Sequence, residues 1–210
     1  MADPNIRRQA EDKLKSAEDG NLAQFMLALV GELSSASKAV IVRQLAGLHL
    51  KNLLSAKDST TLAMKRSRWQ SNIPSDIKVQ IRSGVANVLR DGDATARHTA
   101  AQVVAEIGAI DLPSNDWPDL MNTLLQNVTD VNSPEGVKIS SLESLGYMSE
   151  LMEEVELDQN VTNQILTAIV DGIKDVSERA SVSMCASLTI KLTFLLRTSH
   201  LPHLPLHFPV

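Results

Sequence analysis

The sequence predicts an all-α fold of stacked helix pairs, and three observations carry that prediction. Aromatic residues make up only 3% of the chain while Ala, Leu, Ser and Val dominate, which suits helices packing through aliphatic ridges better than a β-sandwich. Apolar residues recur at gaps of three and four, as in Leu22, Phe25, Met26, Leu29, Val30 and Leu33, and strand-like alternation is not sustained anywhere. Breakers and caps recur about every twenty residues, the spacing of ordinary helices and short loops.

Taken in order, Asp3-Pro4 opens a helix over 4–16, and Asp19-Gly20 separates it from a second over 21–33. Ser37 precedes a third over 38–54. Asp58, ahead of STTLAMKR, supplies a side-chain acceptor for the free N–H groups of a helix over 58–70. Ser75-Asp76 does the same for 75–90, just after the breaker Pro74. Asp91-Gly92-Asp93 then leads into 94–109, and Pro113 into 116–129. Ser133-Pro134-Glu135 starts a helix over 135–151, with Pro134 tolerated in the first turn. Asp158 precedes a ninth, over 159–173.

Three of these segments share a pattern, a basic residue opening a helix of small and aliphatic residues. They are VRQLAGLHL with Arg43, ARHTAAQVV with Arg97 and VKISSLESL with Lys138. Lys138 lies 41 residues after Arg97, close to the period of a two-helix HEAT repeat. Arg43 and Arg97 are 54 apart, which an additional short helix around 58–70 explains. One helix pair cannot bury its apolar face alone, so neighbouring pairs stack into a solenoid. Ala46, Gly47, Ala100, Ala101, Ser140 and Ser141 are small enough to let helices approach closely. The basic position itself reads as architectural.

Composition narrows the function. A formal net charge of −5 gives no global field favouring phosphate backbones or an anionic membrane, so a nucleic-acid binder is not expected. No apolar run approaches the roughly 18 residues of a membrane span, and the polar start MADPNIRRQAEDKLK is no signal peptide. The single cysteine, Cys185, excludes an internal disulfide or Cys-rich zinc site and fits a reducing compartment. No phosphate loop, GxGxxG turn, HExxH helix or GxSxG elbow occurs, and no cofactor or catalytic residue is expected. His200, His203 and His207 have metal-like spacing, but Pro202 and Pro205 prevent the helix that would bring them together.

Several stretches, in order, resemble the importin-β (karyopherin-β) family of nuclear import receptors: IRRQAEDKL, NLAQFMLALVGEL, VRQLAGLHLKNLL, SRWQ at Ser67 to Gln70, AAQVVAEIGAIDLP, NDWPDLMNTLLQNVTD, SSLESLGYMSE and ILTAIVDGI. The resemblance implies a right-handed α-α superhelix, an armadillo-like HEAT solenoid of about four helix pairs over residues 1–175. Residues 176–210 depart from the family as a divergent tail, expected to be poorly ordered at 198–210.

It further implies binding of the GTP-loaded small GTPase Ran through the first repeats, with the protein shared between cytoplasm, nucleus and nuclear pore. Phenylalanine-glycine nucleoporins dock mainly on repeats that begin where this chain stops, and importin-α or cargo on later ones still. A HEAT scaffold outside nuclear transport is the alternative. Lys57, in LLSAKD, aligns with a family position near the Ran contact. Lys65, Arg66 and Arg68 form the densest basic cluster, which reads either as a solvated face or as a steering patch for acidic parts of Ran. Trp69 and Trp117 fit wedges between repeats or, less simply, interface anchors. The acidic stretch Glu150, Glu153, Glu154, Glu156 and Asp158 reads as a solvated helix end and loop.

Overall fold

A computed structural model describes residues 4–152, and among these residues every regular element is a helix. In chain order they are α1 (Pro4–Gly20), α2 (Leu22–Ser34), α3 (Val40–Leu54), α4 (Ser59–Asn72), α5 (Ser75–Val88), α6 (Ala94–Asp111), α7 (Leu120–Thr129) and α8 (Glu135–Leu151). The expected ninth helix, Cys185, the three tail histidines and the boundary at 175 lie outside the described residues.

The helices begin where the chain offers an acceptor. Asn21, Asp58 and Asp93 adopt extended backbone and accept hydrogen bonds from Gln24 N, Thr61 N and Ala96 N, so that α2, α4 and α6 each start on a capped N–H. Pro74 and Pro134 occupy the cap positions of α5 and α8 without a side-chain bond. Most ends fall within two or three residues of expectation. The larger departures are α1, which runs on to Gly20, and α7, which starts at Leu120 instead of 116. Asn115 turns left-handed there (φ 56°), the Asp116 carbonyl accepts from Arg82, and the chain runs on in turns before α7 begins.

The chain divides into two compact units, residues 1–118 and 119–210. In the first, α2 packs on α3 and α5, while α6 packs on α3 and α5, which makes two layers: α2 with α5, and α3 with α6. The α4 helix leans on α3. Of the expected apolar stripe, Phe25, Met26, Leu29, Val30 and Leu33 are buried and Leu22 is half-buried; Leu50, Ile81, Val85 and most of Thr99 to Asp111 on α6 are buried as well. In the second unit α7 packs against α8, and Leu120, Leu124 and Val128 of α7 and Leu142 and Leu145 of α8 are buried.

Close approach depends on the small residues. A Cβ on Gly47 would lie 2.4 Å from Thr99 Cγ2, and one on Gly84 would lie 2.3 Å from Val30 Cγ1. Glycine is therefore required at the α3/α6 and α5/α2 crossings. Ala46, Ala100, Ala101, Ser140 and Ser141 are all buried, in keeping with the sequence reading.

Candidate partner-binding surface

The α3–α4 junction holds all four basic residues expected at a partner surface, and the fold treats them differently. Lys57 lies in the loop between the two helices and is exposed. Its neighbour Asp58 caps α4, and the Thr61 hydrogen bonds hold its carboxyl below the ordinary carboxylate range. Lys65 is half-buried and turns back, its Nζ donating to the carbonyls of Asn52 and Ser55 (2.8 Å to Ser55), where the C-terminal end of α3 presents unpaired oxygens and the negative end of its dipole. Arg68 is also half-buried and pairs with Glu18 of α1 at 3.0 Å.

Arg66 faces inward toward Glu106 of α6. Glu106 is 5% exposed, and burial pushes its carboxyl up, opposed by a hydrogen bond from Ser55 and by the charges of Arg66, Lys51 and Lys65. The cluster Lys65, Arg66 and Arg68, which reads as one basic patch in sequence, is thus divided among the end of α3, the buried Glu106 and Glu18 of α1, while Lys57 beside it is exposed. The signal for Glu106 was a carboxylate inside the aliphatic run AAQVVAEIGAID, where a solvated face leaves no room for it.

The two tryptophans belong to a second polar centre. Trp69, 1% exposed, donates from Nε1 to Asp111 Oδ1 at 2.8 Å. Arg82 Nε donates to Asp111 Oδ2 at 2.8 Å and Nη1 to the Asp116 carbonyl at 2.7 Å, while Nη2 lies 2.6 Å from Oδ2 but off the hydrogen-bond direction. The Arg82 guanidinium also stacks near Trp69 and half-buried Trp117, about 6 Å from each ring centroid. Lys78 lies over Trp69 and donates to the Gln70 carbonyl. Trp69 is a wedge within the fold, and nothing of it is offered to a partner.

The repeat-opening Arg43 is buried and architectural. Its Nε donates to the Leu33 carbonyl at 2.8 Å, and its two Nη groups grip Asp91 at 3.1 and 2.6 Å in a bidentate pair. Arg97 donates to the carbonyls of Asp91 and Gly92, so both basic positions converge on the α5–α6 turn. Lys138 is buried in the second unit. Among the described residues no group of three metal-ligating side chains occurs, and no helix is long and apolar enough to cross a membrane.

A sequence model of the importin-β N-terminal domain matches residues 10–91, the stretch that contains α2 to α5 and the α3–α4 junction. Importin subunit beta-1 of Arabidopsis thaliana is 37% identical over 185 residues, 88% of this chain. The chain belongs to the importin-β family. It spans 21% of the length of that Arabidopsis relative. Among solved structures, yeast importin-β (Kap95p) superposes with a TM-score of 0.85 and 32% identity, covering 94% of this chain and 23% of that one. Kap95p in the structure where its binding induces the switch loops of RanGDP to adopt the GTP-bound conformation gives the same TM-score at 30% identity, covering 94% and 23%. The two-layer arrangement of helix pairs is therefore that of the importin-β HEAT solenoid.

Proposed function

We propose that this chain binds the small GTPase Ran in its GTP form and takes part in nuclear import, as a binding module without catalytic activity. The observation that carries the proposal is the match of residues 10–91 to the importin-β N-terminal domain, together with the likeness to Kap95p as it binds Ran. A scaffold of unrelated biology would have no reason to share both.

Within this reading residues 1–175 supply the Ran surface and 176–210 lie outside it, and the protein moves between cytoplasm and nucleus. Lys57 is the leading contact, because it alone of the four basic candidates is exposed. Lys65, Arg66 and Arg68 shape the field behind it: Lys65 is held by backbone carbonyls, Arg68 by the Glu18 carboxylate, and the charge of Arg66 acts on buried Glu106. Phenylalanine-glycine nucleoporins are a second partner class, whereas importin-α and cargo require later repeats.

Calorimetric titration of the 210-residue chain with Ran tests the proposal, one run with a non-hydrolysable GTP analogue and one with GDP. Marked preference for the GTP form is expected. Absence of binding to either form contradicts the proposal.

A further inference from the structure

The loop between α3 and α4 runs from Ser55 to Asp58 and carries Lys57, the exposed basic residue of the junction. Both of its ends are fixed. At the near end Ser55 leaves α3 in extended backbone, with its N–H still bonded to the Lys51 carbonyl at 3.1 Å. At the far end Asp58 caps α4, its Oδ1 accepting from Thr61 N at 2.8 Å and its carbonyl from Leu62 N at 3.0 Å. Ala56 and Lys57 span the gap between these anchors.

The near end is also held from across the loop. Lys65, in the second turn of α4, donates from Nζ to the carbonyls of both Asn52 and Ser55. The last carbonyls of a helix have no partner within it, and an ammonium placed there meets the negative end of the helix dipole as well. Two of the three donors of Lys65 are thereby used on the chain's own backbone. The clasp has a firm base, because one turn further along α4 Trp69 is buried and bonded to Asp111 of α6, and Arg68 is paired with Glu18 of α1. One side chain thus ties the end of α3 to α4 across the loop that presents Lys57.

We propose that Lys65 is a positioning residue for Lys57: by clasping the Asn52 and Ser55 carbonyls it fixes the 55–58 loop, and so fixes where the Lys57 ammonium meets an acidic surface of the partner. Within the Ran-binding reading, on which the proposal rests, this role needs no contact between Lys65 and Ran. A loop already ordered in the free protein loses little conformational freedom on binding, so the gain appears as affinity although Lys65 touches only its own chain.

Two measurements on the 210-residue chain test the proposal, the first without Ran. Lys65→Met keeps a stem of similar length and removes the donors, whereas Lys65→Arg keeps donors. Cleavage after Lys57 by a lysine-specific protease, followed by mass spectrometry, reads opening of the loop, and cleavage after exposed Lys38 is the control for general unfolding. Lys65→Met is expected to speed cleavage after Lys57 by about tenfold or more, with cleavage after Lys38 unchanged and Lys65→Arg close to wild type. The second measurement is a double-mutant cycle in titrations with Ran carrying a non-hydrolysable GTP analogue. Lys65→Met is expected to weaken binding severalfold when Lys57 is present and to cost nothing further in a Lys57→Ala chain, while Lys65→Arg restores affinity. Unchanged cleavage after Lys57 in Lys65→Met overturns the clasp, whatever Ran does. Equal losses of affinity with and without Lys57 overturn the positioning role and make Lys65 a contact in its own right. Faster cleavage in a chain that Ran does not bind overturns the Ran-binding reading, and the role given to Lys57 with it.

Discussion

Two Arg–Asp pairs tie the first unit together, and they sit at opposite ends of the same physical balance. Arg43–Asp91 lies at the α5–α6 turn, where the Asp91 side chain keeps 16% of its exposure. Hydrogen bonding to Arg43 outweighs desolvation there, and the Asp91 carboxyl is held below the usual carboxylate range. Arg82–Asp111 closes a site in which Asp111 is fully buried. Burial outweighs the Trp69 and Arg82 contacts, and the Asp111 carboxyl is pushed up. The same two residue types thus stabilise the charged acid in one place and strain it in the other, and solvent access makes the difference.

The largest expected effect follows from the buried member. Asp111→Ala leaves Arg82 charged without its carboxylate and the Trp69 N–H without an acceptor, and should cost about 3–5 kcal/mol. Denaturant unfolding followed by the fluorescence of Trp69 and Trp117 measures it. A loss under about 1 kcal/mol would mean that the centre is not a coupled unit.

Asp91→Asn should cost less, about 2 kcal/mol at neutral pH, because water replaces part of what Arg43 loses. Its pH dependence carries the sign of the comparison. The folded-state value of Asp91 is depressed, so its stabilisation is complete above the unfolded carboxylate value of about 3.9 and is lost as pH falls through the lower folded value. Wild type and Asp91→Asn should converge in acid. Asp111, with a raised folded value, contributes the opposite slope: stability falls as pH rises from the unfolded value toward the folded one. Identical slopes for Asp91→Asn and Asp111→Asn would break the distinction.

Smaller still is Gly47→Ala. The 2.4 Å approach to Thr99 costs about 1–3 kcal/mol as overpacking, while alanine returns up to about 1 kcal/mol of helix propensity. A net loss of about 1–2 kcal/mol is expected. A gain in stability would show that the α3/α6 crossing can slide.

The fold was readable because its signals are local. Caps at Asp58 and Asp93, the three-and-four spacing of α2 and the breakers Pro74 and Pro134 each act within a turn or two of the helix they define. The boundary at α7 was less legible: the chain turns left-handed at Asn115 and Arg82, 34 residues away, takes the Asp116 carbonyl before the helix begins. The polar architecture was half legible. Arg43 and Arg97 announced themselves by repetition, but their shared target lay in Asp91-Gly92-Asp93, which reads as punctuation. The basic cluster showed the converse. Lys65, Arg66 and Arg68 look alike in sequence, and only tertiary partners 10 to 50 residues away separate them from exposed Lys57.

Amide hydrogen exchange of the whole chain, with and without Ran loaded with a non-hydrolysable GTP analogue, tests the central claim most directly. The account predicts that bound Ran protects the α3–α4 junction around Lys57, and that Lys57→Glu weakens binding severalfold with unchanged thermal stability. Protection confined to residues outside the first unit, or none at all, would contradict it.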